Sequence, residues 1–201
     1  MEFEKLAPDF YERLQMSAGV ICKGFVPSTG KITGLMGATT GGFQFASNPN
    51  YVDIGEDVDN AKPNTWQLKR VTSYDPAASG TFVEINAERV KDLIGAAKYG
   101  TTGGATPVDD ETHIIPTHEL TEDDFESFWV IGDYSAYNDG ESTAGYFAIH
   151  IMHALNTAGF QWQSSKEAKG QFSFDYHGHY DLTTPGEVPF EVYVKAGTAA
   201  E

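Results

Sequence analysis

Cysteine is nearly absent from this chain: Cys22 is the single thiol in 201 residues, so no internal disulfide can form and an oxidised, disulfide-stapled scaffold is excluded. Long hydrophobic runs are missing as well. The longest mostly apolar stretch, Tyr146 to Leu155, carries His150 and His153 and is about half of the ~20 residues a membrane-spanning helix needs. No membrane segment is expected. No basic region leads into an apolar stretch at the N-terminus, so a reducing cytoplasm rather than a secretory route is the expected place of synthesis. Positive charge is scarce: 13 Lys and Arg stand against 29 Asp and Glu, a formal charge of −16. Such a surface repels phosphate, which argues against holding DNA or RNA by affinity and suits a surface that nucleic acid passes without sticking.

Signatures of catalysis are also lacking. There is no G-x-S-x-G elbow. The pairs Gly41-Gly42 and Gly103-Gly104 have neither the strand–loop–helix context nor the lysine of a phosphate cradle. Cys22 falls within a strand pattern, where a thiol is a small core residue. His177 and His179, at i and i+2, would share one face of a strand as a ligand pair does, but Gly178 separates them and no third ligand has a matching spacing. The acidic run Asp53, Glu56, Asp57 and Asp59 lacks the oxygen spacing of a calcium loop. A carboxylate pair of glycosidase type leaves no linear signature. No catalytic, cofactor or metal site is therefore expected.

What the chain does have is apolar and aromatic content, 40% and 13%, enough to bury a core. From Met16 the pattern is β. Ala18–Val20–Cys22 alternate, Pro27 to Gly30 reads as a turn, and Ile32 to Ala38 as the return strand. Gly41 to Ala46 opens another strand, and Trp66–Leu68–Arg70 begins its return. Between them lies Asn48 to Asn64, too polar for core and longer than a usual hairpin loop, which marks it as an interaction loop. Ser79 to Ile85 reads as a strand. Asn86 caps a helix expected to run to Ala97 with Val90, Leu93 and Ile94 as its apolar stripe. Glycine-rich Tyr99 to Asp110 reads as a loop, His113 to Pro116 as an extended piece, and Thr121 to Asp124 as a capped turn. Phe128–Tyr134, Gly145–Ala154, Gly159–Ser164, Gln171–Leu182 and Val188–Val194 complete the strands. In the fourth of these, Phe172, Phe174 and Tyr176 would face a core, with Gln171, Ser173 and Asp175 opposite. The expected fold is mainly β, an antiparallel β-sandwich or barrel-like domain over 16–201 with one flanking α-helix, preceded by an arm at 1–15 that orders against a partner.

Several segments in this order resemble the major tail tube proteins of long, non-contractile-tailed bacteriophages and prophages. They are MSAGVICKGFVPSTGKITG (Met16 to Gly34), GATTGGFQF and VDIGEDVDN (within Gly37 to Asn60), LKRVTSYDPAASGTFVEI (Leu68 to Ile85) and VKDLIGAA (Val90 to Ala97). The series continues with ELTEDDFESFWVIGDYS (Glu119 to Ser135), Ala148 to Leu182 and VPFEVYV (Val188 to Val194). The resemblance implies a non-enzymatic structural virion protein. Six copies would form a ring, and stacked rings would form the tube through which the genome is ejected. Its partners would be further copies of itself, the tape-measure protein and the tail terminator and tip proteins, with DNA passing the lumen without specific binding. Contacts between rings would fall to the 48–64 loop, through Tyr51, Asp53, Ile54, Glu56, Asp57 and Asp59, and to the N-terminal arm. If acids line the lumen, Glu84, Glu141, Asp175 and Asp181 are the candidates, each lying in or beside a strand pattern. A carbohydrate- or ligand-binding β-sandwich is the alternative, resting on Trp66, Trp129 and Trp162, although tryptophans in such strands are more often core.

Overall fold

Alternation of aromatic and β-branched residues with small polar ones favours strands through most of the chain. A computed structural model describes residues 19–100, 112–133 and 145–195. Within them the order is β1 (Val20–Val26), β2 (Lys31–Leu35), β3 (Thr39–Asp53), β4 (Lys69–Phe82), α1 (Ala87–Ile94), β5 (Ala97–Gly100), β6 (His113–Pro116), β7 (Glu126–Asp133), β8 (Tyr146–Asn156), β9 (Gln161–Gln163), β10 (Gln171–His177) and β11 (Phe190–Lys195). The arm at 1–15 lies outside the described residues, as do Glu141 and most of the Tyr99–Asp110 loop.

The strands make two antiparallel layers. One, sheet A, runs β2-β1-β7-β8-β11; the other, sheet B, runs β3-β4-β10, with β9 and the end of β8 sharing the far side of β10. Strand β8 belongs to both. Its first half pairs with β7 and β11, whereas Leu155 and Asn156 pair with β10. The change happens at a register shift where His153 takes φ 47°, the extra residue that bends a strand at a sandwich corner. Strands β5 and β6 form a separate two-stranded ribbon.

Residues facing inward from both layers build the core: Ile21, Phe128, Val130, Ile149 and Ile151 from sheet A, Ala78, Phe82, Phe174 and Tyr176 from sheet B, and Leu93 from α1. Gly80 is required there, because a Cβ would lie 2.7 Å from Cζ of Phe174. A second cluster of Cys22, Phe25, Trp129, Ile131 and Ala148 covers the opposite face of sheet A. Phe25 meets the rings of Trp129 and Tyr146, and the Tyr146 hydroxyl donates to the Pro27 carbonyl at 2.8 Å. The β1–β2 hairpin thus curls over that face.

Helix α1 forms as expected at its start, where Asn86 Oδ1 accepts from the Arg89 amide at 2.8 Å. It stops at Ile94, earlier than Ala97, because Gly95 leaves helical geometry at φ 85°. Asn156, buried in the sandwich, donates to the Leu93 carbonyl and accepts from the Asp175 amide, pinning the helix end to sheet B. Thr121 and Asp124 form the expected capping box over one 3-10 turn. The two pieces read in the sequence as Trp66–Arg70 and Ser79–Ile85 are one strand, β4, entered through a 3-10 turn at Trp66–Leu68. Pro76 does not break β4. Its carbonyl accepts from the Gly178 amide, so its missing N–H faces the point where β10 ends. Strand β10 stops at His177, short of Leu182. A Cβ on Gly178 would come within 3.0–3.1 Å of Ile151, Pro189 and Pro76, so the chain leaves the sheet where a side chain would crowd three neighbours.

Candidate functional site

The least self-sufficient part of the structure is the long hairpin β3–β4. Near its base β4 is sandwiched between β3 and β10, but β10 pairs only with Ala77 to Phe82. Beyond that, the pairs from Asn48↔Asp75 to Asp53↔Lys69 have no third strand. Five residue steps at about 3.4 Å make this a projection of roughly 17 Å before the turn is counted. A two-stranded ribbon with water on both sides is marginal alone, yet this one exposes Tyr51, Val52, Ile54, Val58, Val71 and Trp66, the last with 80% of its surface accessible. An extra residue at Thr72 shifts the register between Asn50 and Tyr51, so that Val71 sits opposite Tyr51 on one face.

The expected 48–64 loop is thereby divided. Asn48 to Asp53 belong to β3, and the turn proper follows Asp53. Asp53 organises that turn: its Oδ1 accepts from the Gly55 amide at 3.0 Å and its Oδ2 from the Asn64 amide at 2.8 Å. These two bonds hold its carboxyl below the ordinary aspartate range. Asp53 is thus committed to the turn, whereas Glu56, Asp57 and Asp59 are exposed around it.

The outward face of sheet B is different in character. Opposite the core-facing aromatics stand Gln44, Ser79, Thr81, Gln171, Ser173 and Asp175, all small or polar. Asp175 lies on this face as the alternation predicts. Beside it His177 sits between two carboxylates, Nδ1 at 2.9 Å from Asp75 and Nε2 at 3.4 Å from Asp175. Partial burial alone would lower its pKa, but the Asp75 bond and the charge and bond of Asp175 outweigh it and raise the value. His179 has another partner, donating Nδ1–H to the His153 carbonyl at 2.9 Å. The two histidines do not converge on a common ligand, and among the described residues no group of three or more His, Cys, Asp or Glu could hold a metal ion.

Of the remaining lumen candidates, Glu84 and Asp181 are not strand residues. Glu84 follows the end of β4 and accepts from the Ala38 amide at 3.1 Å. Asp181 lies in the segment after β10 and holds a turn by accepting from the Thr183 amide and hydroxyl at 2.7 and 2.8 Å. Glu141 lies outside the described residues. The expectation that the tryptophans are core fails for two of the three. Trp129 is buried, but Trp66 and Trp162 are exposed at 80% and 64%, and they occupy the hairpin turn and the short edge strand β9. No spacing in the sequence marks them, since an isolated Trp beside a turn reads the same in either case.

No protein-family model matches the chain. No curated protein matches it. Among solved structures it is similar to a chain from the virion of a native gene transfer agent particle, at 11% sequence identity and a TM-score of 0.37, covering 79% of this chain and 86% of that one.

Chemically, these surfaces are suited to docking. Cys22 is buried and its thiol is pushed up to about 11, chiefly by that burial, which leaves it almost wholly protonated and a poor nucleophile near neutral pH. No described helix is long and apolar enough to cross a membrane. The structure offers an apolar, acidic arm, a polar face and, in sheet B, the free edges of β3 and of the short strand β9.

Proposed function

We propose that this chain is a structural subunit of a phage-type tail tube, assembling as rings of six that stack into a conduit for DNA. The observation that carries this reading is the β3–β4 arm, a ribbon with no third strand beyond Ala77, whose base is held by His177, Tyr180 and Phe190 while its outer part displays apolar side chains to be buried elsewhere. Six as the ring number comes from the sequence resemblance to tail tube proteins.

The two edges of sheet B support ring closure. Edge pairing between neighbours, repeated by rotation, would close the sheets into a barrel without free edges. The face of Gln44, Ser79, Thr81, Gln171, Ser173 and Asp175 would then line the lumen, offering DNA neither cations nor an apolar patch. The hairpin turn would contact the adjacent ring, through Tyr51, Ile54, Glu56, Asp57 and Asp59, with Asp53 shaping the turn from within. The tape-measure protein would occupy the lumen before the genome, and terminator and tip proteins would end the stack. On this reading the chain is not an enzyme and acts within the virion.

The exposure of Trp66 and Trp162 favours a carbohydrate-binding module as the second reading. Sugar platforms place aromatic rings side by side, however, and these two lie at opposite ends of sheet B. The test is electron microscopy with sedimentation velocity on the purified protein across a concentration series. Rings or tubes of uniform diameter are expected at high concentration, and a monomer at every concentration would overturn the proposal.

A further inference from the structure

We infer that the turn of the β3–β4 hairpin in one copy seats on the β9–β10 turn of the next, an inference that rests on the proposed stacking of copies. Strand register places the two surfaces at opposite ends of sheet B. At the base, Phe82 pairs with Thr39 and Phe172, Gln171 pairs with Gln163, and the turn joining β9 to β10 continues outward from there. At the other end Asp53 pairs with Lys69, and the hairpin turn lies beyond them. Strand β4, from Lys69 to Phe82, spans roughly 44 Å between these ends. Moving a copy along the strand direction by a distance of that order brings one turn to the other. A contact between two different surfaces, repeated by translation, builds a filament.

The two surfaces also match in chemistry. Beside the β9–β10 turn, Trp162 and Phe160 are exposed, and the turn carries Lys166 and Lys169 with Glu167 between them, 3.9 Å from Lys166, a net single positive charge. Trp162 stands opposite Phe172 and against Gly170, where a Cβ would be 3.4 Å from its Nε1, so the ring is backed by the sheet while its other side is free. The hairpin turn presents Ile54, Val58 and Trp66 among Glu56, Asp57 and Asp59. Apolar side chains would cover the indole while carboxylates meet ammonium groups around it, the arrangement of a buried centre with a charged rim. Cations are not confined to that turn: Lys62, Lys69 and Arg70 are exposed on the hairpin itself, Lys69 and Arg70 in β4 behind the acidic run from Glu56 to Asp59.

The experiment reads the contact directly and by its charge. Ala61→Cys and Ala168→Cys chains are mixed at concentrations where the wild-type protein assembles and treated with a short bismaleimide; Cys22 is buried and does not compete. A cross-linked heterodimer of the two variants is expected. In parallel, Lys166→Glu with Lys169→Glu should raise the concentration needed for elongation roughly tenfold, and adding Glu56→Lys and Asp57→Lys to the same chain should restore it, with unchanged melting temperatures. If wild-type tubes form but the cross-link is absent and the Lys166→Glu, Lys169→Glu chain elongates normally, this contact is wrong and the tube proposal stands. If the wild-type protein never assembles and no cross-link forms, both fall.

Discussion

Burying Arg89 obliges the fold to satisfy a guanidinium away from water. It does so with the Met36 carbonyl, 2.9 Å from Nε, and with Asp92, whose Oδ2 is 2.6 Å from Nη1. For Asp92 burial is the larger influence, and even with Arg89 opposing it the carboxyl is pushed up to about 6. Between about pH 4 and pH 6 the folded protein keeps a proton on Asp92 that the unfolded chain has released. Stability therefore falls as pH rises through that interval, by about 2–3 kcal/mol, and this group adds no further slope above it. Asp92→Asn keeps the neutral form at every pH. Urea unfolding of both proteins should show the difference in unfolding free energy moving toward the variant by that amount between pH 4 and 7, and parallel curves would show that Asp92 titrates as an ordinary aspartate. His153 offers a second test at this scale. Its φ of 47° is strained for a residue with a Cβ and worse for a β-branched one. His153→Gly should leave stability within about 1 kcal/mol of the wild type, whereas His153→Val should cost about 1–3 kcal/mol; equal stabilities would mean that the corner relaxes.

At the scale of elements, the hairpin turn should be separable from the fold, because its bonds run within the turn or to the hairpin's own strands. Replacing residues 54–68 with Asn-Gly, which suits a two-residue hairpin turn, should leave a monomer with a melting temperature within a few degrees of the wild type and no ability to elongate. A collapse in melting temperature would show instead that the turn supports the core. Strand positions were legible wherever one face is buried, as in Phe172–Phe174–Tyr176, because period-two alternation reports burial directly. They were not legible in β4, where Asp75-Pro76 carries turn chemistry that tertiary pairing overrides. Polarity and length set the 48–64 segment apart in the sequence as something other than core or a short turn. Its extent was misjudged because a ribbon exposed on both sides has no alternation to read. Asn156 and Arg89, which fix α1 to the sandwich, left no signal either, since a polar residue that finds its partners across a sheet looks in the sequence like any surface residue. The exposure of Trp66 and Trp162 was hidden for the converse reason: an exposed apolar residue has the same composition in the sequence as a core one.

For the whole molecule, a charge of −16 must be reconciled with the close packing of copies that the proposed function requires. The cations already counted in that figure are in part paired with local carboxylates, Lys23 with Glu88 and Glu126 and Lys91 with Asp124, and the excess acids remain. The polar face of sheet B keeps little of the remainder: Asp175 and Asp75 flank His177, whose raised pKa retains a positive charge between them to higher pH than an isolated histidine would. The proposed lumen is thus weakly anionic, becoming more so as pH rises and His177 loses its proton. Passing DNA would meet repulsion within about 10 Å at ~0.1 M salt, with the His177 charge flanked by two carboxylates rather than free to hold it. Exchanging Asp175 for lysine alters that balance without touching the core, because its side chain projects from the face opposite Phe174 and Tyr176. Asp175→Lys subunits should fold and assemble as the wild type does, and their tubes should retain double-stranded DNA at low salt and release it as salt rises, with the steep dependence of counterion release. Glu84→Lys, on a residue outside the strands, should retain far less. Filter retention of labelled linear DNA by assembled tubes at several salt concentrations measures both variants. Equal retention by the two would place Asp175 on the outside of the tube and turn the other face of the sandwich toward the lumen.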